Sequence, residues 1–155
     1  MAREPLEVAA PLAGTVASLA DVPDEVFAAA MVGPGVAIIP DPGQDQAVVA
    51  PADGVVATSF PHAFALELAD GRTLLVHLGV DTVGMRGAGF EKQVEAGAAV
   101  RAGDVIVTWS PDAVTEAGYA AVCPVVALQG DAEALELRAE VGARVAAGDP
   151  LLRWM

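Results

Sequence analysis

The chain has 155 residues, 54% apolar and 19% charged, enough to bury a sizeable core and the wrong balance for intrinsic disorder. Eight basic residues against 21 acidic ones leave a net charge of −13, a surface that repels phosphate backbones and anionic lipid. That argues against nucleic acid and favours a basic protein as partner.

Residues 1–7 carry acids and proline where a secretory signal needs a long apolar run, and they read as a mobile tail. Pro23 to Met31 has proline near its start and Asp24 and Glu25 in its first turn, which predicts a helix. Short Val/Ile/Leu-rich runs then follow between regularly spaced Gly and Pro. Val36–Ile39, Ala47–Val49, Gly54–Ala57, Leu74–Leu78, Val105–Trp109 and Pro124–Leu128 read as strands. A second short helix is expected over Pro111 to Ala121. No stretch approaches the roughly 18 apolar residues of a membrane span. A single cysteine, Cys123, cannot form an internal disulfide, and it reads as a small core residue in a reducing cytoplasm.

Two internal repeats stand out. Ala10-Pro11-Leu12-Ala13-Gly14-Thr15-Val16 resembles Ala50-Pro51-Ala52-Asp53-Gly54-Val55-Val56, and Gly97–Ile106 matches Gly142–Leu151 through the pattern G-x-x-V-x-x-G-D. Gly in such a turn supplies positive φ, and Asp bonds back to the local backbone. These features predict one all-β domain over residues 1–155, a sandwich or barrel built from a duplicated β motif with one or two short helices.

The chain has only two histidines, His62 and His77, and Asp70-Gly71 between them is a hairpin signal. Counted outward from that turn, His62 is 8 residues before Asp70 and His77 is 6 after Gly71, so the imidazoles are expected as neighbours across antiparallel strands given one bulge or a small register difference. Val76 and Leu78 fill the core side, which turns His77 outward with Leu75 and Gly79. A neutral imidazole can accept a phosphoryl group at its unprotonated nitrogen, and a second imidazole can donate to the phosphoryl oxygens. Zinc is the competing chemistry, but a stable site needs three or four ligands, and there is no H-x-H. A lipoyl or biotinyl carrier would share the duplicated pattern, yet Lys92 lacks the flanking residues of a carrier lysine.

Several segments carry a resemblance. They are Val32-Gly33-Pro34-Gly35-Val36-Ala37-Ile38-Ile39-Pro40, Ala50-Pro51-Ala52-Asp53-Gly54, His77-Leu78-Gly79-Val80-Asp81-Thr82-Val83, Gly87-Ala88-Gly89-Phe90, Val100-Arg101-Ala102-Gly103-Asp104 and Cys123-Pro124-Val125-Val126. In this order the chain resembles, from about residue 6 to residue 130, the glucose-type enzyme IIA of the bacterial phosphoenolpyruvate-dependent sugar phosphotransferase system. The resemblance implies a cytoplasmic β-sandwich that takes phosphate from the histidine carrier HPr and passes it to a cysteine on the IIB domain of a sugar permease. It implies His77 as phosphoacceptor and His62 as the neighbouring stabiliser. Val26, Phe27, Val32, Leu75 and Val83 would form an apolar collar, and Asp24 and Asp81 an acidic rim for arginines of the partner.

No cofactor is required by this reading. The alternative is a regulatory module that holds target proteins on the same face, with zinc shared between His62, His77 and a partner's acid. Many relatives place a Thr two residues before the first histidine, where this chain has Phe60 followed by Pro61.

Overall fold

The computed structural model of the protein describes residues 4–155. Its framework is three antiparallel sheets. The first joins β1 (Leu6–Ala9), β14 (Pro150–Trp154) and β12 (Leu135–Leu137); the second joins β4 (Gln46–Val49), β10 (Val105–Trp109) and β8 (Phe90–Lys92). The third has eight strands in the order β13 (Arg144–Val145), β2 (Gly14–Ser18), β3 (Gly35–Pro40), β11 (Cys123–Ala127), β7 (Thr73–His77), β6 (Ala63–Glu67), β5 (Gly54–Phe60) and β9 (Ala99–Val100). The strands expected from the Val/Ile/Leu runs are all present.

The internal duplication is structural down to single hydrogen bonds. Ala10 N–H donates to the Asp149 carbonyl at 2.7 Å and Gly148 N–H to that of Ala10 at 2.8 Å; Ala50 with Asp104 and Gly103 with Ala50 repeat this at 2.8 and 2.9 Å. Asp104 and Asp149 each accept, through Oδ2, from the backbone N–H three residues earlier, at 2.9 and 2.8 Å. Gly103 and Gly148 hold φ of +96° and +94°, open to glycine at little cost. The correspondence reaches beyond the turns: Trp154 lies opposite Leu6 and Leu135, as Trp109 lies opposite Gln46 and Phe90. Both tryptophans are buried in the main core.

Strand alternation in the long sheet builds two cores, one on each face. Val36, Ile38, Leu74, Val76 and Val125 join the large core, while Ala37 and Val126 join a smaller cluster with Leu19, Val22 and Val80. Phe27, Val32 and Leu75 pack against that smaller cluster. Side chains this short suit a sheet whose outer face is covered only by short turns of helix and by loops.

Both helices are shorter than their sequence patterns. α1 covers only Glu25–Ala28, with Asp24 as N-cap accepting from Val26 N–H at 2.9 Å. It ends because Ala30 turns left-handed at φ +54°, letting Met31 N–H reach back to the Val26 carbonyl at 3.0 Å. α2 covers Pro111–Glu116, capped by Ser110, and ends in the same way at Gly118 with φ +92°. In the tail expected over residues 1–7, residues 1–3 lie outside the described residues. Leu6 and Glu7 are not tail: they pair with Trp154 and Arg153 in β1. No helix among the described residues is long and apolar enough to cross a membrane.

Candidate functional site

β6 and β7 form a hairpin in which Ala63 lies opposite His77. Its turn is wider than a two-residue Asp-Gly loop. Leu68 N–H bonds the Arg72 carbonyl at 2.8 Å, and Gly71 takes φ +89° inside the turn. At the far end, Pro61-His62 is the tight connection between β5 and β6, and Leu78 N–H donates to the His62 carbonyl at 2.7 Å. The ladder therefore sets His62 diagonally beside His77. Their ring centroids are 5.2 Å apart, with the planes at 69°. Neighbouring imidazoles are thus present without a bulge in the β6–β7 pair.

His77 follows Val76, which is fully buried in the main core, so its ring emerges on the opposite face with Leu75. Its Nδ1 lies 2.6 Å from the Gly79 carbonyl oxygen. A carbonyl only accepts, so Nδ1 carries the hydrogen, and Nε2 of the neutral ring keeps a free lone pair. Gly79 itself is buried, with φ +80°, and Val80 N–H bonds the Ala120 carbonyl at 2.9 Å. The space at Gly79 is thus taken by the chain's own backbone: a Cβ there would stand 2.9 Å from the Ala120 oxygen.

Burial favours the neutral form of both rings. Desolvation lowers the pKa of His77 below 6.5, against the opposing pull of the Gly79 bond and of the Asp24 and Asp81 charges. His62 is lowered by burial first and by the charge of His77 second. The carboxylates of Asp24 and Asp81 are therefore near enough to act on His77. Asp24 is half-buried and spends one oxygen on the α1 cap, while Asp81 is exposed at φ +60°.

Phe27 stands 5.4 Å from the His77 ring, centroid to centroid. Val32 and Leu75 lie in the same apolar cluster as Phe27, and Val26 and Val83 are exposed on α1 and on the 3-10 turn Thr82–Met85. Two contributors escape sequence reasoning. Phe60 stacks on His62 at 5.8 Å and 27°. Thr82 is wholly buried and donates to the Leu78 carbonyl at 2.6 Å. A Phe two residues before a turn histidine was the available signal for the first; Thr82 had none beyond its place in the motif.

Cys123 is buried, with its thiol pushed up to about 12 by desolvation, and is a packing residue. Among the described residues no three His, Cys, Asp or Glu side chains are grouped to hold a metal, so the two imidazoles fall short of a zinc set. A cavity of about 810 Å³ beside Arg72 and Gln129 contains neither histidine.

Residues 6–133 match the family model described as phosphoenolpyruvate-dependent sugar phosphotransferase system, EIIA 1. The chain is similar to the PTS system glucose-specific EIIA component of Bacillus cereus, 38% identical over 143 residues, which are 91% of this chain and 84% of that one. It is also similar to the PTS system glucosamine-specific EIICBA component of Bacillus subtilis, 42% identical over 118 residues; the match spans 75% of this chain but only 18% of that longer protein. The solved glucose permease IIA from Mycoplasma capricolum superposes with a TM-score of 0.85 at 34% identity, over 97% of this chain and 96% of that one.

Proposed function

We propose a relay through His77 from a plain premise: the chain belongs to the EIIA 1 family of the phosphoenolpyruvate-dependent sugar phosphotransferase system. It is a phosphoryl-transfer component that carries phosphate from HPr to the IIB domain of a sugar permease. His77 is the acceptor and His62 its assistant. The observation that carries this assignment is the 2.6 Å bond from His77 Nδ1–H to the Gly79 carbonyl, which leaves Nε2 as the nucleophile.

In the first step the Nε2 lone pair forms a bond to phosphorus as the P–N bond to the donor histidine of HPr breaks in line, and that histidine keeps the electron pair. In the second, a thiolate of the IIB domain attacks phosphorus and Nε2 regains its lone pair. His62 donates to the phosphoryl oxygens and, once protonated, offsets their charge. Little else is asked of the protein than positioning and exclusion of water. Phe27, Val32, Leu75, Val26 and Val83 supply the apolar collar, and Asp24 and Asp81 the rim that meets basic residues of the partner.

No cofactor enters these steps. The relay operates in the cytoplasm, for a permease carrying a hexose of the glucose or glucosamine kind named for the relatives. Regulatory target proteins, where they bind, would use the same face. The test is acid-labile phosphate incorporation from phosphoenolpyruvate, enzyme I and HPr, followed by a chase with the IIB acceptor. His77→Gln is expected to take up no phosphate, and His62→Gln to take it up but pass it on slowly. A labelled His77→Gln protein overturns the assignment.

A further inference from the structure

We propose that Phe60 is a positioning residue for His62, fixing the angle of its ring toward His77 and offering an aromatic face to the imidazolium that forms beside a bound phosphoryl group. The proposal rests on the relay reading for its second half only.

Four observations support it. First, among the described residues neither ring nitrogen of His62 has a hydrogen-bond partner, unlike Nδ1 of His77. Two ring contacts flank it: His77 edge-on at 5.2 Å, and Phe60 stacked at 5.8 Å with 27° between planes. Second, the backbone presenting Phe60 is stiff. Pro61 fixes its own φ and confines Phe60 to extended conformations. Phe60 also closes the β5–β6 ladder opposite Ala63.

Third, Phe60 is 54% exposed, so core packing does not account for an aromatic ring there. Fourth, the 5.8 Å centroid separation lies within the roughly 6 Å over which an aromatic ring attracts a cation. When a phosphoryl dianion arrives on His77, the imidazole next to it is the group that gains positive charge, and Phe60 lies against that ring. An imidazole held by one stacked neighbour keeps its donor edge aimed; one left without it can rotate about its χ angles.

The experiment compares the native chain with Phe60→Leu, which keeps apolar bulk but loses the flat face, and Phe60→Tyr, which keeps both. Two quantities are read: the nuclear Overhauser contact between the His62 and His77 ring protons in the unphosphorylated protein, and the rate of transfer from the phosphorylated protein to the IIB acceptor. Phe60→Leu is expected to lose the ring contact and to pass phosphate on about two- to fivefold more slowly, the range of an exposed cation–π contact. Phe60→Tyr is expected to behave as the native chain. A retained ring contact in Phe60→Leu overturns the positioning role, because slow transfer would then report a lost docking contact with the partner. A native transfer rate in Phe60→Leu overturns the charge role, as does failure of Phe60→Tyr to rescue. Should the native chain take up no phosphate, the relay falls, while the ring contact still decides the positioning.

Discussion

Thr82 donates its hydroxyl to the Leu78 carbonyl at 2.6 Å, and its methyl fills the space where a side chain on Gly79 would stand, 2.6 Å from that ideal Cβ. The turn after His77 is therefore locked by a single buried threonine, its hydroxyl on Leu78 and its methyl against Gly79. Gly79→Ala is expected to lose about 1–2 kcal/mol from the left-handed backbone alone, and more from the contact with the Ala120 carbonyl. Thr82→Val, nearly isosteric, is expected to lose about 1–2 kcal/mol by stranding a carbonyl. Both also loosen the Gly79 acceptor. Nitrogen-15 spectra of the His77 ring should show the Nε2–H tautomer appearing, and spectra identical to the native protein would count against the lock.

Acid should weaken the fold through the two histidines. Both have folded-state pKa values below the ordinary 6.5 because burial disfavours the charged ring. Between those lowered values and 6.5 the unfolded chain binds more protons than the folded one, so stability rises with pH across the window. The contribution is complete above 6.5 and is lost as pH falls below it. The double variant His62→Gln/His77→Gln removes both groups. Its stability should fall less than that of the native chain between about pH 7.5 and about pH 5 in denaturant titrations. Equal losses in the two proteins would refute the burial argument.

Asp81 allows charge to be separated from shape. It is exposed, makes no side-chain cap, and sits at φ +60°, a conformation that Asn also tolerates. Asp81→Asn is expected to leave the free energy of unfolding within about 0.5 kcal/mol of native. It should slow phosphate uptake from HPr at low salt, with the difference fading as salt screens the rim. Stopped-flow uptake across a salt series checks this; an unchanged rate at every salt concentration would remove Asp81 from the encounter.

Cys123 should be chemically silent in the folded protein. Its thiol is pushed up to about 12 and has no exposed surface, and the thiolate is the reactive species. Alkylation by iodoacetamide at neutral pH is expected only as fast as the chain unfolds. Rapid labelling of the native protein would place the sulfur nearer the surface than here.

The fold and the pair of histidines were legible in the sequence for different reasons. Val36–Ile39 and Leu74–Leu78 announce strands because β-branched and aliphatic runs stand between Gly and Pro punctuation, and Val76 with Leu78 reveals which way His77 faces. The ends of the helices were not legible. α1 stops at Ala30, whose left-handed φ costs an alanine what a glycine would not, and no residue type marks it. α2 does carry a stop signal in Gly118, masked by the alanines around it. The short strands β8 and β12 pass unseen because three residues hold no period; only their pairing to β10 and β14 makes them strands. Phe60 on His62 and Thr82 on Leu78 are contacts of geometry, and a residue string carries neither angle nor distance.

The two halves of the duplication interlock. β1 pairs with β14 and β2 with β13, while β4 pairs with β10 and β5 with β9. Each half thus draws one strand from early in the chain and its partner from much later. During synthesis, β4 and β5 wait for the segment around residue 100 to emerge, but β1 waits until Trp154 has emerged, a longer separation along the chain. Loop closure over that distance comes before its reward. The half closed by β1 and β14 should therefore assemble last, around a sheet that already presents both imidazoles.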